Sequence, residues 1–282
     1  MYFDAHNHLQ DAALAPHWDL LGTQLPAIGV AGAVVNGTCE DDWESVALLA
    51  RRFAWVRPSF GVHPWDVGNR SPAWADRLRA RLQAEPRASV GEIGIDRWII
   101  DRARPEDPRL AGLRRAPLEE QSEVFLTQLA LAVELDRPAT VHCLQAWGAL
   151  DALLRKSARP ARGFLLHAYS GPREMVPGFV RLGAYFSFNG AFLDPRKEAI
   201  RDAFRVVPPD RLLVETDAPA MLPPAAWLSH PLPPSDHGTP VNHPGNIQAA
   251  YSGLAALRGL AVPALASQVA DNFRRLFDES AR

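Results

Sequence analysis

Eight short apolar runs recur along this 282-residue chain, each parted from the next by a longer stretch. That alternation is what most limits the fold. Runs of about four to eight residues of this kind read as buried strands, and helix-length segments between them make each neighbouring pair a parallel βαβ unit. The runs are Met1–His8, Ala31–Asn36, Val56–Val62, Ala88–Ile93, Ala139–Cys143, Gly163–Ala168, Ala184–Phe188 and Arg211–Thr216. Between and after them, Glu119–Leu135, Ala146–Leu154 and Pro263–Phe277 repeat apolar positions at helical spacing. In the last of these Leu265, Val269, Phe273, Leu276 and Phe277 form a stripe suited to packing on a barrel. Eight strands with crossovers is the number a closed barrel needs, and such barrels run to about 250 residues as one unit. Residues 1–282 therefore read as a single α/β domain, a TIM-like (β/α) barrel with its active site at the C-terminal ends of the strands. Two stretches fit neither element: 97–115, rich in arginine, acid and proline, and 221–244, with seven prolines. Each follows a strand end, on the side of the barrel where function sits.

With 47% hydrophobic and 22% charged residues the chain has ample material for a core. No stretch approaches the roughly 18 to 20 uncharged apolar residues of a membrane span. The first residues lack the basic start and apolar run of a secretion signal. Cys39 and Cys143 cannot make a disulfide framework; they read as structural thiols, and a reducing cytoplasm is the expected location. A net charge of −2 argues against indiscriminate duplex binding, which needs a basic footprint. No coiled-coil heptad or exposed apolar stripe appears, so a monomer is expected.

The polar residues carry the functional signal. His6 and His8 alternate along the first strand and so face the same side. His63 follows the third strand, Glu92 ends the fourth, His142 the fifth and His167 the sixth, and Asp217 lies just past the eighth. Each has an ordinary reading taken singly: a terminal or core histidine, a carboxylate paired with arginine, a helix cap. Together they fall on the same ends of different strands, which a barrel brings to one rim. Histidine and carboxylate donors suit zinc, manganese or magnesium. Six donors, His6, His8, Glu92, His142, His167 and Asp217, exceed what one tetrahedral ion needs, so two divalent ions bridged by Glu92 are the simpler account.

Several blocks of sequence resemble the TatD-type metal-dependent hydrolases, a branch of the amidohydrolase-like barrels. They are Phe3-Asp-Ala-His-Asn-His8, Gly61-Val-His-Pro64, Gly91-Glu-Ile-Gly-Ile-Asp96, Val141-His142, Leu166-His-Ala-Tyr-Ser-Gly171, Glu215-Thr-Asp-Ala-Pro219 and Asn272-Phe-Arg-Arg-Leu-Phe277. The resemblance implies a TIM-like barrel holding up to two divalent metals through the same six residues. It implies hydrolysis of phosphodiesters, typically as a deoxyribonuclease and sometimes as a 3′ to 5′ exonuclease. Two blocks depart from it. Where the family usually has Arg-Asn-Glu-Pro this chain has Val241-Asn-His-Pro244, and an arginine-bearing insertion follows Arg97-Trp98.

On this reading Asp217 is the catalytic base as well as a ligand, and His63 faces the substrate as a catalytic donor to a phosphate oxygen or leaving group. Tyr169, Ser170 and the arginines of 97–115 are the further candidates for substrate contact. The expected partner is DNA or other nucleotide material. A small amide, ester or lactone is the alternative, since metal-activated water serves both reactions.

Overall fold

The computed structural model describes residues 1–235 and 238–278. All eight expected strands are present: β1 (Tyr2–Asn7), β2 (Val30–Asn36), β3 (Val56–Phe60), β4 (Ser89–Asp96), β5 (Ala139–Leu144), β6 (Phe164–Leu166), β7 (Ala184–Asn189) and β8 (Leu212–Glu215). They form one parallel sheet in chain order. The helices are α1 (Trp18–Ala27), α2 (Trp43–Arg52), α3 (Trp74–Ala84), α4 (Trp98–Asp101), α5 (Leu118–Glu134), α6 (Trp147–Lys156), α7 (Val176–Arg181), α8 (Glu198–Val206), α9 (Ile247–Arg258) and α10 (Val262–Phe277). The expected TIM-barrel architecture is what forms. The α10 stripe packs inward as expected, with Phe273 fully buried and its ring centre 4.7 Å from that of Phe3. Among the described residues no single helix is long and apolar enough to cross a membrane.

The sheet curls until β8 meets β1, and polar groups close the seam. The Asp217 amide donates to the His6 carbonyl at 3.0 Å, and the His8 amide to the Ala218 carbonyl at 2.7 Å. Asp4 sits inside the seam, its carboxylate accepting from the Thr216 amide (3.0 Å), the Thr216 hydroxyl (2.6 Å) and the Asn7 side chain (3.1 Å). Burial pushes this acid up to about 7 even though the bonds favour its ionised form. The Tyr251 hydroxyl on α9 accepts the Phe3 amide and donates to the Phe3 carbonyl, each at 3.0 Å. Backbone groups that an open edge would leave unpaired are thereby satisfied.

Two segments differ from the reading of the sequence. β4 runs on past Ile93 to Asp96, and Gly94, paired with His142, has a φ of 150°. A Cβ there would lie 2.0 Å from the His142 carbonyl oxygen, so only glycine lets β4 and β5 stay this close at the rim. The 97–115 insertion is not a bare loop. It contains α4 and a satellite core of Ile99, Ala103 and Leu110 against Trp65, Trp98 and Leu113. In the described part of 221–244 a single helical turn, Ala225–Trp227, and a bridge from Pro231 to Asn242 are the regular structure.

Candidate metal centre

Alternation along β1 puts His6 and His8 on one side, and the barrel brings β4, β5 and the ends of β6 and β8 around them. His6 Nε2 and His8 Nε2 lie 3.1 Å apart. Glu92 Oε2 is 3.4 Å from the first and 3.2 Å from the second, and Asp217 Oδ1 is 3.4 and 3.3 Å from them. The other Glu92 oxygen, Oε1, lies 2.9 Å from both His142 Nδ1 and His167 Nε2, which are 3.1 Å from each other. Glu92 thus turns one oxygen to each pair of histidines. Donors about 2.0 to 2.1 Å from a tetrahedral zinc lie about 3.3 to 3.4 Å from one another, the spacing of the first group. The cluster could hold a metal ion, and its donor types fit a divalent one.

Asp217 reaches this place from an unusual backbone. Its φ is 53°, in the left-handed region, which aspartate tolerates better than most residues. Gln145 and Ala168, just past β5 and β6, also have positive φ. Three such residues at one rim mark a backbone shaped around the cluster.

Outside the six donors, further groups fix the rings. Asp96 Oδ2 lies 3.1 Å from His142 Nε2 and accepts the Trp65 indole N–H at 2.6 Å. Glu215 accepts from Ser187, from the Ala168 amide (3.1 Å) and from Asn189 (3.2 Å), and stands 3.7 Å from His167 Nδ1. The Asn36 carbonyl is 2.8 Å from His8 Nδ1. Carboxylates and carbonyls on the far nitrogen fix the tautomer and aim the near one inward. Asp96 and Glu215 were not singled out from the sequence. A signal exists for Asp96, which lies four residues on from Glu92 and so on the same face of β4; Glu215 is the last residue of β8.

The electrostatics follow from burial and crowding. Burial would raise the Glu92 acid, but His167, His63 and His6 around it hold it well below the ordinary range. Burial would lower His8, but Asp217 and Glu92 outweigh it and carry the ring well above its usual value. His142 likewise, against burial, is pushed up to about 9 by Asp96 and Glu92. A cation and these protons compete for the same nitrogens, so metal uptake must release protons.

His63 stands beside the cluster, with Nε2 3.5 Å from Glu92 Oε1 and its ring edge-on to His142 at 4.5 Å. Its Nδ1 accepts the Trp65 amide at 3.2 Å. Burial pushes its pKa down, with Glu92 only partly opposing, so the neutral ring carries its proton on Nε2. Ser170 lines the cleft above the cluster. Tyr169 does not, contrary to the reading from sequence. It is fully buried among Trp147, Phe179 and Phe186, and its hydroxyl donates to the Pro172 carbonyl at 2.7 Å.

The arginines of 97–115 divide. Arg97 pairs with Asp101, Arg114 with Glu120, and Arg115 donates to the Ala103 carbonyl; Arg109 is the one that lines the cleft. Cys39 and Cys143 are free thiols at the cleft wall. The departure at Val241-Asn-His-Pro244 has a structural use. His243 Nδ1 accepts the Gly245 amide at 2.8 Å and Nε2 meets Gln24 Oε1 at 3.1 Å, while Asn242 donates to the Thr216 carbonyl at 3.1 Å. Burial, aided by His230 and His17, pushes His243 down to about 4, so it acts as a neutral clip.

A family model described as TatD related DNase matches residues 3–278. The chain belongs to this family. It is an enzyme of the metal-dependent hydrolase type, as the sequence blocks imply. Among curated relatives, the 3′-5′ ssDNA/RNA exonuclease TatD of Erwinia tasmaniensis is 30% identical over 280 residues, covering 98% of this chain and 99% of that one. The uncharacterized metal-dependent hydrolase YcfH of Escherichia coli K12 is 32% identical, covering 78% of this chain and 72% of its own length. The crystal structure of YjjV, a TatD homologue from Escherichia coli K12, superposes with a TM-score of 0.82 at 25% identity, covering 99% of this chain and 98% of that one.

Proposed function

We propose that this TatD-family enzyme is a divalent-metal-dependent phosphodiesterase that removes nucleotides from the 3′ ends of single-stranded DNA or RNA. The observation that carries the reading is Glu92 turning one oxygen to His6 and His8 and the other to His142 and His167. The curated TatD relative, named for 3′-5′ exonuclease action, aligns over nearly the whole chain and supports it.

His6, His8, Glu92 and Asp217 would hold one ion, and Glu92, His142 and His167 a second. Such a pair activates water and stabilises the attacking and leaving oxygens of a displacement at phosphorus. The remaining work falls to side chains. Asp217, its Oδ1 turned to the two β1 histidines, orients the attacking water and accepts its proton. His63 presents the proton on Nε2 to a phosphate oxygen or to the leaving oxygen. Asp96 positions His142, and Glu215 stands behind His167 on the side away from Glu92.

The test is a 5′-labelled single-stranded oligonucleotide incubated with Mn- or Zn-loaded protein, beside a duplex and a panel of esters, amides and lactones. A ladder of products shortened stepwise from the 3′ end is expected. Intact oligonucleotides beside a hydrolysed ester, amide or lactone would replace this reading with the small-molecule one.

A further inference from the structure

The cleft above the cluster has a volume of about 870 Å³, and its charge is unevenly arranged. Asp11, Asp42 and Asp66 line it along the arc from β1 to β3. Among the described residues the two non-histidine cations that line it are Arg109, in the segment after β4, and Lys197, in the segment after β7. Between them lie the ends of β5 and β6.

Lys197 is one of only two lysines in the chain. It is half-buried, with its ammonium 5.6 Å from the centre of the Phe192 ring. The neighbouring acid, Asp194, is engaged by Arg196, with Nη2 to Oδ2 at 2.6 Å and Nε to Oδ1 at 3.0 Å. Among the described residues the Lys197 ammonium has no ion-pair partner, and burial lowers its pKa. A partly desolvated cation without an ion-pair partner is costly, and an anionic ligand would supply the missing partner.

Arg109 is held differently. Its guanidinium lies 4.7 Å from the Trp98 ring centre and 5.7 Å from that of Trp65. Asp107 takes Nε and Nη2 at 2.9 and 2.7 Å, which leaves Nη1 uncommitted. The Trp65 indole is itself pinned by Asp96, the carboxylate that holds His142. This aromatic and guanidinium wall is thus tied to the cluster through one side chain.

We propose that Lys197 and Arg109 clamp two phosphates of a single-stranded polynucleotide laid along the β4–β7 arc, with the Trp65 indole as a stacking surface for a base. The inference rests on the phosphodiesterase reading and says where the backbone lies. It also accounts for nucleic-acid recognition by a chain of net charge −2: two placed cations and a flat aromatic replace a general basic surface. The acids along β1–β3 repel a second backbone, which disfavours a duplex.

The test is fluorescence anisotropy of a labelled phosphorothioate oligothymidine of about twelve nucleotides, titrated with the metal-loaded protein at several salt concentrations. Lys197→Gln and Arg109→Gln are each expected to weaken binding about tenfold and to reduce the salt slope by about 0.7 per phosphate lost. Trp65→Leu is expected to weaken binding about tenfold with the slope unchanged, since base stacking releases no counterions. Elemental analysis of each variant checks that the cluster still takes up metal. Wild-type binding with a normal salt slope, matched within twofold by all three variants, overturns the clamp. A wild type that neither binds nor shortens the oligonucleotide overturns the phosphodiesterase reading beneath it.

Discussion

Asp217→Asn is expected to reduce turnover of single-stranded DNA about 10³-fold while leaving the barrel and most of the bound metal in place. The amide matches the carboxylate in shape and keeps an oxygen where Asp217 Oδ1 stands, 3.4 and 3.3 Å from the two β1 histidines. It cannot accept the proton of the attacking water. The backbone gives no reason for the variant to misfold, because asparagine tolerates a φ of 53° as well as aspartate does. The seam bond from the residue 217 amide to the His6 carbonyl is also untouched. Turnover, circular dichroism and metal content measured on the same preparation separate these effects. Near-normal turnover with normal metal content would remove Asp217 from the role of base.

The second large effect is on the metal itself. His6→Ala combined with His8→Ala is expected to remove one ion per chain and to lower activity by more than about 10³-fold, as loss of a metal that activates water should. Both residues contribute to the barrel seam through backbone atoms, the His6 carbonyl and the His8 amide, so the fold does not depend on the imidazoles. What is lost is the ring of His6 stacked on His167 at 4.0 Å and two of the four donors of the first group, leaving Glu92 and Asp217. Elemental analysis after dialysis is the check. Unchanged stoichiometry in the double variant would mean that the metal is bound elsewhere.

Why so much of this was legible in sequence is a matter of periodicity. Strands buried on both faces read as continuous apolar runs, and the polar residues of most of them gather at or just past their C-terminal ends because the rim is where the core stops. His6, His8, Glu92, His142, His167 and Asp217 could therefore be placed from local pattern plus one topological step. The apolar run Ala88–Ile93 stops short of the true end of β4, because Gly94, where β5 comes closest, breaks the apolar pattern without ending the strand. That hid Asp96, two residues further along the same face. Tyr169, two residues past His167, turns into the core because the chain has by then left β6 and passed the positive-φ Ala168, a turn that no periodicity in the sequence announces. The insertion at 97–115 was opaque because its stability comes from three small clustered apolar side chains and a stacked arginine, contacts with no period.

The account stands on the six donors holding two cations around Glu92, and anomalous diffraction from crystals grown with Mn or Zn tests that most directly. Two anomalous peaks about 3.5 to 4 Å apart, one on each side of the Glu92 carboxylate, are the expected result. Peaks remote from Glu92, with the histidines of β1 and β5 still bonded only to neighbouring carboxylates, would contradict it.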